Sequence, residues 1–315
     1  MSKPIVHIGY HKTATTWFQK RYYPLVENYR YVPRRIVQKA ILETTAFRFS
    51  PERAWDLLAE GDDGRPLLLC EEELSGNPHS AGMRGAFSKD VAGRLKALFG
   101  EPTIVVFIRN QVEMAAALYR NYVREGGTYR PHRYFFPEDY RKDVARHPFK
   151  YPVFSFDHLD YRRLLAWYAE LFGPENVHVF SYEAFQEDPG KFANEFGARL
   201  GLRLDTAGLV FSRENEGDAS RSLELTRLLN RLSYRNVLDK RWCLNLISNK
   251  LRSQPRRWLN GTVLGGPMPD AETLLGPKLE ETIRQRFAYS NRRLAEDWGL
   301  PPGPVRLSGP CLRDS

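Results

Sequence analysis

Residues 6–19 read VHIGYHKTATTWFQ, and this stretch decides how the rest of the chain is read. A short apolar run ends at Gly9. Lys12, Thr13, Thr15 and Thr16 follow at once, ahead of an aromatic and polar segment of helical character. A strand that turns into a helix through such residues is built to hold an anion. Backbone N–H groups at the helix start, the helix dipole, threonine hydroxyls and a lysine ammonium all favour phosphate there. The spacing excludes the ATPase and kinase loop G-x-x-x-x-G-K-[ST]. Only two residues separate Gly9 from Lys12, and no glycine immediately precedes the lysine.

Outward from this stretch, strands and helices alternate. Residues 5–9 predict a buried strand and 15–26 the helix after it. Residues 66–70 (PLLLC) predict a second strand behind the polar turn GDDG, and 88–100 a helix stopped by Gly100. The segment 103–108, TIVVFI, is apolar and largely β-branched, as a strand buried on both faces must be. Helices follow at 112–124, 159–172 and 189–200, with a strand at 177–181. Such alternation predicts an α/β, P-loop-like three-layer fold: a central parallel sheet flanked by helices, with ligands bound beyond the strand C-terminal ends. Helical additions complete the C-terminal part, with a helix at about 280–298. We read the chain as a single domain, 1–315. It carries an insertion at about 128–156, without regular structure and rich in aromatic and basic residues. A basic helical region follows at about 221–262, whose Leu225, Leu228, Leu229 and Leu232 predict an inward face.

Composition narrows the class further. The 315 residues carry a formal net charge of +9, which predicts an anionic partner. No apolar run is long enough to cross a bilayer. The first strand begins so near the N-terminus that no secretory signal fits before it, so a cytoplasmic protein is expected. Cys70, Cys243 and Cys311 are odd in number and far apart, neither a disulfide framework nor a metal pattern, and no metal is expected.

At the end of the strand 103–108 a magnesium-dependent kinase would place an aspartate. Here the strand runs into Arg109, a cation suited to a second phosphate rather than to a metal. At the end of the strand 66–70 stand Glu71, Glu72 and Glu73. If the strand persists, Glu72 faces opposite to its two neighbours.

The segment His11-Lys12-Thr13-Ala14-Thr15-Thr16 resembles the 5′-phosphosulfate loop of sulfotransferases that use 3′-phosphoadenosine 5′-phosphosulfate (PAPS). In bacterial members and the Golgi carbohydrate enzymes this loop commonly reads H-K-T-G-T-T, so alanine stands here for glycine. Alanine fits without strain if the residue has negative φ. The resemblance extends over about residues 4–222. It includes Phe172-Gly173, Tyr182-Glu183, Asp188-Pro189 and Leu200-Gly201-Leu202 in the later part.

The resemblance implies that PAPS lies on His11, Lys12, Thr13, Ala14, Thr15 and Thr16, and that Arg109 binds its 3′-phosphate. A serine eight residues after that arginine is usual, but position 117 is alanine; the candidates to replace its contact are Asn110, Arg120 and, in RENEGDASRS, Arg213, Asn215, Ser220 and Arg221. It further implies in-line transfer of the sulfuryl group to a hydroxyl or amine. Lys12 stabilises charge on the leaving phosphate, and Glu72 is the general base. His11, beside the loop, is a second candidate base or orients Lys12. The acceptor is expected to be a glycan or small metabolite bound by the two basic regions, and no nucleic-acid motif is present. Two other classes stay open on the residues alone: an atypical P-loop small-molecule kinase, and a non-catalytic binder of acidic glycan or nucleic acid.

Overall fold

Five strands form one parallel sheet in the order β2-β3-β1-β4-β5: β1 Ile5–Gly9, β2 Arg30–Tyr31, β3 Leu67–Cys70, β4 Thr103–Ile108 and β5 Val177–Ser181. The computed structural model describes residues 3–79, 85–205, 208–211, 220–233 and 269–299. The strands are mostly apolar because helices cover both faces. On one face Ile5, Leu68, Cys70, Val105, Phe107 and Phe180 share a core with Phe18, Tyr22, Tyr23, Phe192 and Phe196. The alternate residues Val6, Ile8, Leu69, Ile104, Val106 and Ile108 are buried as well. The α/β reading of the sequence therefore holds, with one strand added. The two-residue β2 carries too few residues to show a period in the sequence.

Strand order puts the loop after β1 at a topological switch point. From β1 the chain goes first to β2 and β3 on one side, then to β4 and β5 on the other. The connections leave the C-terminal end of β1 open between those of β3 and β4, where ligands of open α/β sheets bind.

The chain divides into two compact units. The first comprises Met1–Asn110, Ser155–Glu214 and Phe287–Ser315, and holds the sheet. The second comprises Gln111–Phe154 and Asn215–Arg286.

Several elements depart from the reading of the sequence. The helix expected over 15–26 is α-helical only over Thr15–Trp17. It widens to a π-turn at Phe18–Tyr22, where Tyr23 N–H donates to Phe18 O, and tightens to a 3₁₀ turn at Tyr23–Leu25. π-turns of this kind are concentrated at functional sites. The insertion at 128–156 is not structureless. It contains helices Pro131–Phe135 and Lys142–Arg146, and its prolines 131, 137 and 148 start turns, where the missing N–H costs nothing. Tyr134, Phe135 and Phe154 pack with Tyr119 and Tyr122 in the second unit. The helix Ser220–Ser233 turns inward with Leu223, Arg227 and Asn230, whereas Leu225, Leu228 and Leu229 are exposed. The cause is Asn230, whose amide donates to the carbonyls of Val123 (2.8 Å) and Gly127 (2.9 Å) and so buries the polar side. The side chain of Leu232, the remainder of the basic region from 234, Cys243 and Cys311 lie outside the described residues.

Beneath the loop, the fully buried His7 on β1 stacks on Phe107 at 5.0 Å, and its Nδ1 lies 2.7 Å from the Tyr23 hydroxyl. Burial lowers its pKa to about 3. Folded, the imidazole stays neutral down to that pH; unfolded, it takes a proton from about pH 6.5. Between these values the unfolded chain binds more protons. This contribution to stability is therefore whole above about pH 6.5 and lost as pH falls toward 3, in all about 5 kcal/mol. Urea unfolding of wild type and His7→Phe between pH 7 and 4 should show a shallower loss of stability in the variant.

Candidate active site

The site is assembled where β1, β3 and β4 end, within the first unit. Gly9 makes it possible. Its φ is +92°, and a Cβ there would lie 2.9 Å from the Glu72 Cα. Only glycine lets the end of β1 and the turn after β3 approach so closely. The register of β1 on β4 also slips between His7 and Gly9.

Beyond Gly9 the loop is held from within. The Thr13 hydroxyl donates to the Tyr10 carbonyl (2.5 Å), and Tyr10 N–H donates to the Phe107 carbonyl on β4 (3.1 Å). Lys12 (φ 60°) and Ala14 (φ 64°) are both left-handed, with Thr13 of negative φ between them. Alternation of the two hands is the backbone pattern of an anion nest. Ala14 is therefore not in the unstrained conformation that would make alanine a simple replacement for glycine. Its carbonyl accepts from Trp17 N–H (2.8 Å) and Phe18 N–H (3.2 Å), which starts the helix. The N–H groups of Thr15 and Thr16 fall in the first helical turn and have no intrahelical acceptor. Thr15 is buried and Thr16 half-buried.

Arg109 closes the loop from β4. Its Nη1 donates to the Lys12 carbonyl (3.2 Å), and its guanidinium stacks on Tyr182 at 4.7 Å. The Tyr161 hydroxyl donates to the Arg109 carbonyl (2.8 Å). The Glu183 carboxylate accepts from Asn110 N–H (2.8 Å), so β4 and the helix after β5 hold the arginine's backbone in place.

The three glutamates after β3 have three different environments. The strand stops at Cys70 and Glu72–Ser75 form a 3₁₀ turn, so alternate pointing does not apply to them. Glu71 is fully buried. It accepts from Arg34 Nε (2.6 Å) and Nη2 (3.1 Å), from Gln38 Nε2 (2.8 Å), and from Glu73 N–H (3.1 Å) as the cap of the turn. With both oxygens taken up by these donors, Glu71 is an anchor rather than a reacting group. Glu72 pairs with the same Arg34 through Oε1 (2.9 Å), and its Oε2 accepts from Gln19 Nε2 (3.3 Å). The hydrogen bond to Glu71 holds the Arg34 guanidinium charged more firmly still. Glu73 turns the other way, with Oε1 3.1 Å from His11 Nε2, and takes both oxygens to Asn77 Nδ2 (3.3 and 3.1 Å). Burial pushes its carboxyl up, but the hydrogen bond and charge of His11, with Asn77 and Arg34, outweigh this and hold it below the usual range.

Of the residues singled out in the sequence, the fold gathers His11, Lys12, Thr13, Ala14, Thr15, Thr16, Glu72 and Arg109 at these three strand ends. Arg221 lies on Ser220–Ser233 and Ala117 on Gln111–Arg124, both in the second unit, and the Arg221 side chain is outside the described residues. Arg34, Gln19 and His158 carry no sequence signal, whereas Glu73 is visible there only as one of three adjacent carboxylates. They come from a helix start, a helix and two turns, and only packing brings them to the loop.

No protein-family model and no curated protein matches the chain. Among solved structures, a sulfotransferase from Alicyclobacillus acidocaldarius superposes with a TM-score of 0.55 at 17% sequence identity, covering 96% of this chain and 98% of that one. The likeness is one of fold. The α/β fold of this chain is similar to that of this sulfotransferase. Among the described residues, no helix is long and apolar enough to cross a membrane.

Two substitutions test the loop in opposite directions. Gly9→Ala meets the Glu72 backbone and a left-handed φ together, and should destabilise by about 2 kcal/mol or more. Ala14→Gly relieves a left-handed alanine, worth about 1–2 kcal/mol. Glycine's greater unfolded-state entropy returns about 0.4–1 kcal/mol. A net gain of about 0.5–1 kcal/mol is expected in urea unfolding.

Proposed function

We propose that the chain is a PAPS-dependent sulfotransferase that moves a sulfuryl group to a hydroxyl or amine of a glycan or small metabolite, in the cytoplasm. One observation carries the reading: a lysine in a left-handed, nest-like loop at the switch point, closed by an arginine from the next strand. The donor groups suit a phosphosulfate. Lys12 offers an ammonium, Thr15 and Thr16 offer helix-start N–H groups, and the loop backbone alternates in hand. PAPS, when bound, supplies an activated sulfuryl group and a phosphate that departs with the bonding electrons.

The chain does the rest by placement and charge. Lys12, with the nest, neutralises charge that builds on the departing phosphate oxygen, and such fixed donors are worth most in the transition state. Ala14 keeps the backbone close to the phosphosulfate, while the Thr13 hydroxyl keeps the turn closed through Tyr10. Arg109, its guanidinium beside the loop and stacked on Tyr182, takes the 3′-phosphate. The acceptor's proton goes to Glu72 at the β3 end, as read from the sequence, or to His11 on the loop after β1, which faces Glu73. The insertion offers the acceptor exposed Tyr140 and Phe149, since Tyr134, Phe135 and Phe154 are spent on packing. Arg133 and Arg141 stand over tyrosine rings there, an arrangement suited to sugar faces and anionic groups.

Binding separates this reading from its rivals. Adenosine 3′,5′-bisphosphate should raise the melting temperature of the full chain without metal, whereas ATP with Mg²⁺ should do so less or not at all. Lys12→Ala should keep the fold by circular dichroism and lose at least about 100-fold in release of adenosine 3′,5′-bisphosphate from PAPS, the loss seen when one such donor is removed. A chain stabilised only by ATP and Mg²⁺ would be a kinase. One stabilised only by heparin would be an anionic-polymer binder.

A further inference from the structure

Beside the Lys12 loop the histidines are closed off. His11 and His158 have ring centroids 6.0 Å apart, and both nitrogens of the first and Nε2 of the second are buried without a hydrogen-bond partner. His132, in the second unit, is open and faces a tyrosine. Its Nδ1 lies 3.2 Å from the Tyr140 hydroxyl, at the surface, and the Asp139 carboxylate stands 4.0 Å from its Nε2. The backbone sets this pair. His132 lies in the helix Pro131–Phe135, whose Tyr134 and Phe135 are buried. Its carbonyl accepts from Phe136 N–H (2.9 Å), and the chain folds back through the 3₁₀ turn Pro137–Asp139. Tyr140 N–H closes that turn on the Pro137 carbonyl (3.1 Å), and its ring meets His132 edge-on at 5.8 Å. The Arg133 guanidinium adds a cation–π contact to the Tyr140 ring at 5.6 Å. Other tyrosines differ. Burial pushes the phenol of Tyr134 up, and Tyr151 is bonded to the Asp143 carboxylate. Tyr289 is more exposed than Tyr140, 70% against 52%, but among the described residues no base is paired with it. A neutral imidazole with its proton on Nε2, the side of Asp139, keeps the Nδ1 lone pair for the Tyr140 proton. A hydroxyl within reach of such a base is an activated nucleophile.

We infer that Tyr140 is a modification site: its phenol oxygen accepts a sulfuryl group through the protein's own transfer activity, and His132 takes the proton. The inference rests on the sulfuryl-transfer reading above. In the step, the Tyr140 oxygen bonds to the sulfur of PAPS. The bond from sulfur to the donor phosphate breaks, and its electron pair stays on the phosphate oxygen. The hydroxyl proton passes to His132 Nδ1, Asp139 balances the imidazolium, and the proton then leaves to solvent. The products are a tyrosine O-sulfate and adenosine 3′,5′-bisphosphate. Exposed Glu138 and Asp139 precede the tyrosine, a charge complementary to a donor loop built around Lys12 and Arg109. The ester sets a fixed anion beside Arg133, on the surface offered to other acceptors.

The test incubates the full chain with ³⁵S-labelled PAPS and no other acceptor, and locates the label by mass spectrometry of the tryptic peptide 134–141. Wild type should carry the sulfuryl group on Tyr140, and Tyr140→Phe should lose the label. His132→Gln should slow labelling about 10²-fold, the lower end for a general base. Its affinity for adenosine 3′,5′-bisphosphate should stay within about threefold of wild type by calorimetry. Added imidazole should restore labelling to His132→Ala, which a merely structural role for the ring would not give. Independently of PAPS, p-toluenesulfonyl fluoride should modify Tyr140 ahead of the more exposed Tyr289, and His132→Gln should abolish that preference. The proposal is overturned if wild type binds the bisphosphate yet Tyr140 stays unlabelled, if His132→Gln is labelled at the wild-type rate, or if Tyr289 reacts first with the fluoride. Each of these leaves the sulfuryl-transfer reading standing. If adenosine 3′,5′-bisphosphate fails to bind wild type, or Lys12→Ala is labelled as fast as wild type, that reading falls and the acceptor role of Tyr140 with it.

Discussion

A missing side chain sets the geometry of this protein. Gly9 ends the central strand in a left-handed turn with no Cβ, and the backbone of Glu72 occupies the space a Cβ would need. The loop after β1 and the turn after β3 are pressed together at that point. Everything chemical is arranged around it: the cationic loop on one side, three carboxylates on the other, and Arg109 entering from β4. Were the two strand ends a few ångströms further apart, His11 could not reach Glu73, nor Gln19 reach Glu72.

Three adjacent glutamates are a concentration of negative charge that the fold has to divide. It does so by sending each to a different partner. Glu71 goes into the interior with Arg34 and Gln38, Glu72 shares that arginine at the boundary, and Glu73 faces His11. The 3₁₀ turn makes the division possible, because a continuing strand would have put Glu71 and Glu73 on one face. The same turn is capped by the Glu71 carboxylate, so the charge that would otherwise be costly to bury also closes the backbone. The positive side is treated alike. The Arg109 guanidinium is held over Tyr182 and against the Lys12 carbonyl, close to where an anion would lie. Strain is also kept local. Lys12 and Ala14 are the only non-glycine residues of positive φ among those described, and both sit in this loop. Such outliers persist where the surroundings over-determine them.

Much of the architecture was legible because it follows from short-range rules. TIVVFI cannot be an exposed strand, Gly100 stops its helix, and Asp188-Pro189 starts another by capping, with Asp188 accepting from Lys191 N–H at 2.9 Å. Where reading failed, the competing cause was tertiary. The leucines of the helix Ser220–Ser233 looked like an inward face, yet Asn230 found two carbonyls and turned the helix over. The prolines of the insertion looked like breaks, yet three of them begin turns of helix.

By itself the sequence determined the strand-loop-helix unit around Lys12, the parallel α/β order, and the charge type that each strand end presents. These depend on side-chain period, on turn residues and on the order of residues along one segment, all local quantities. The tertiary structure alone decided which glutamate is an anchor and which faces a histidine, that Ala14 is left-handed, and that His158 lies beside His11. Those outcomes depend on which groups from distant segments are left without water and must pair with one another. Pairing of that kind carries no signature in any single stretch of chain.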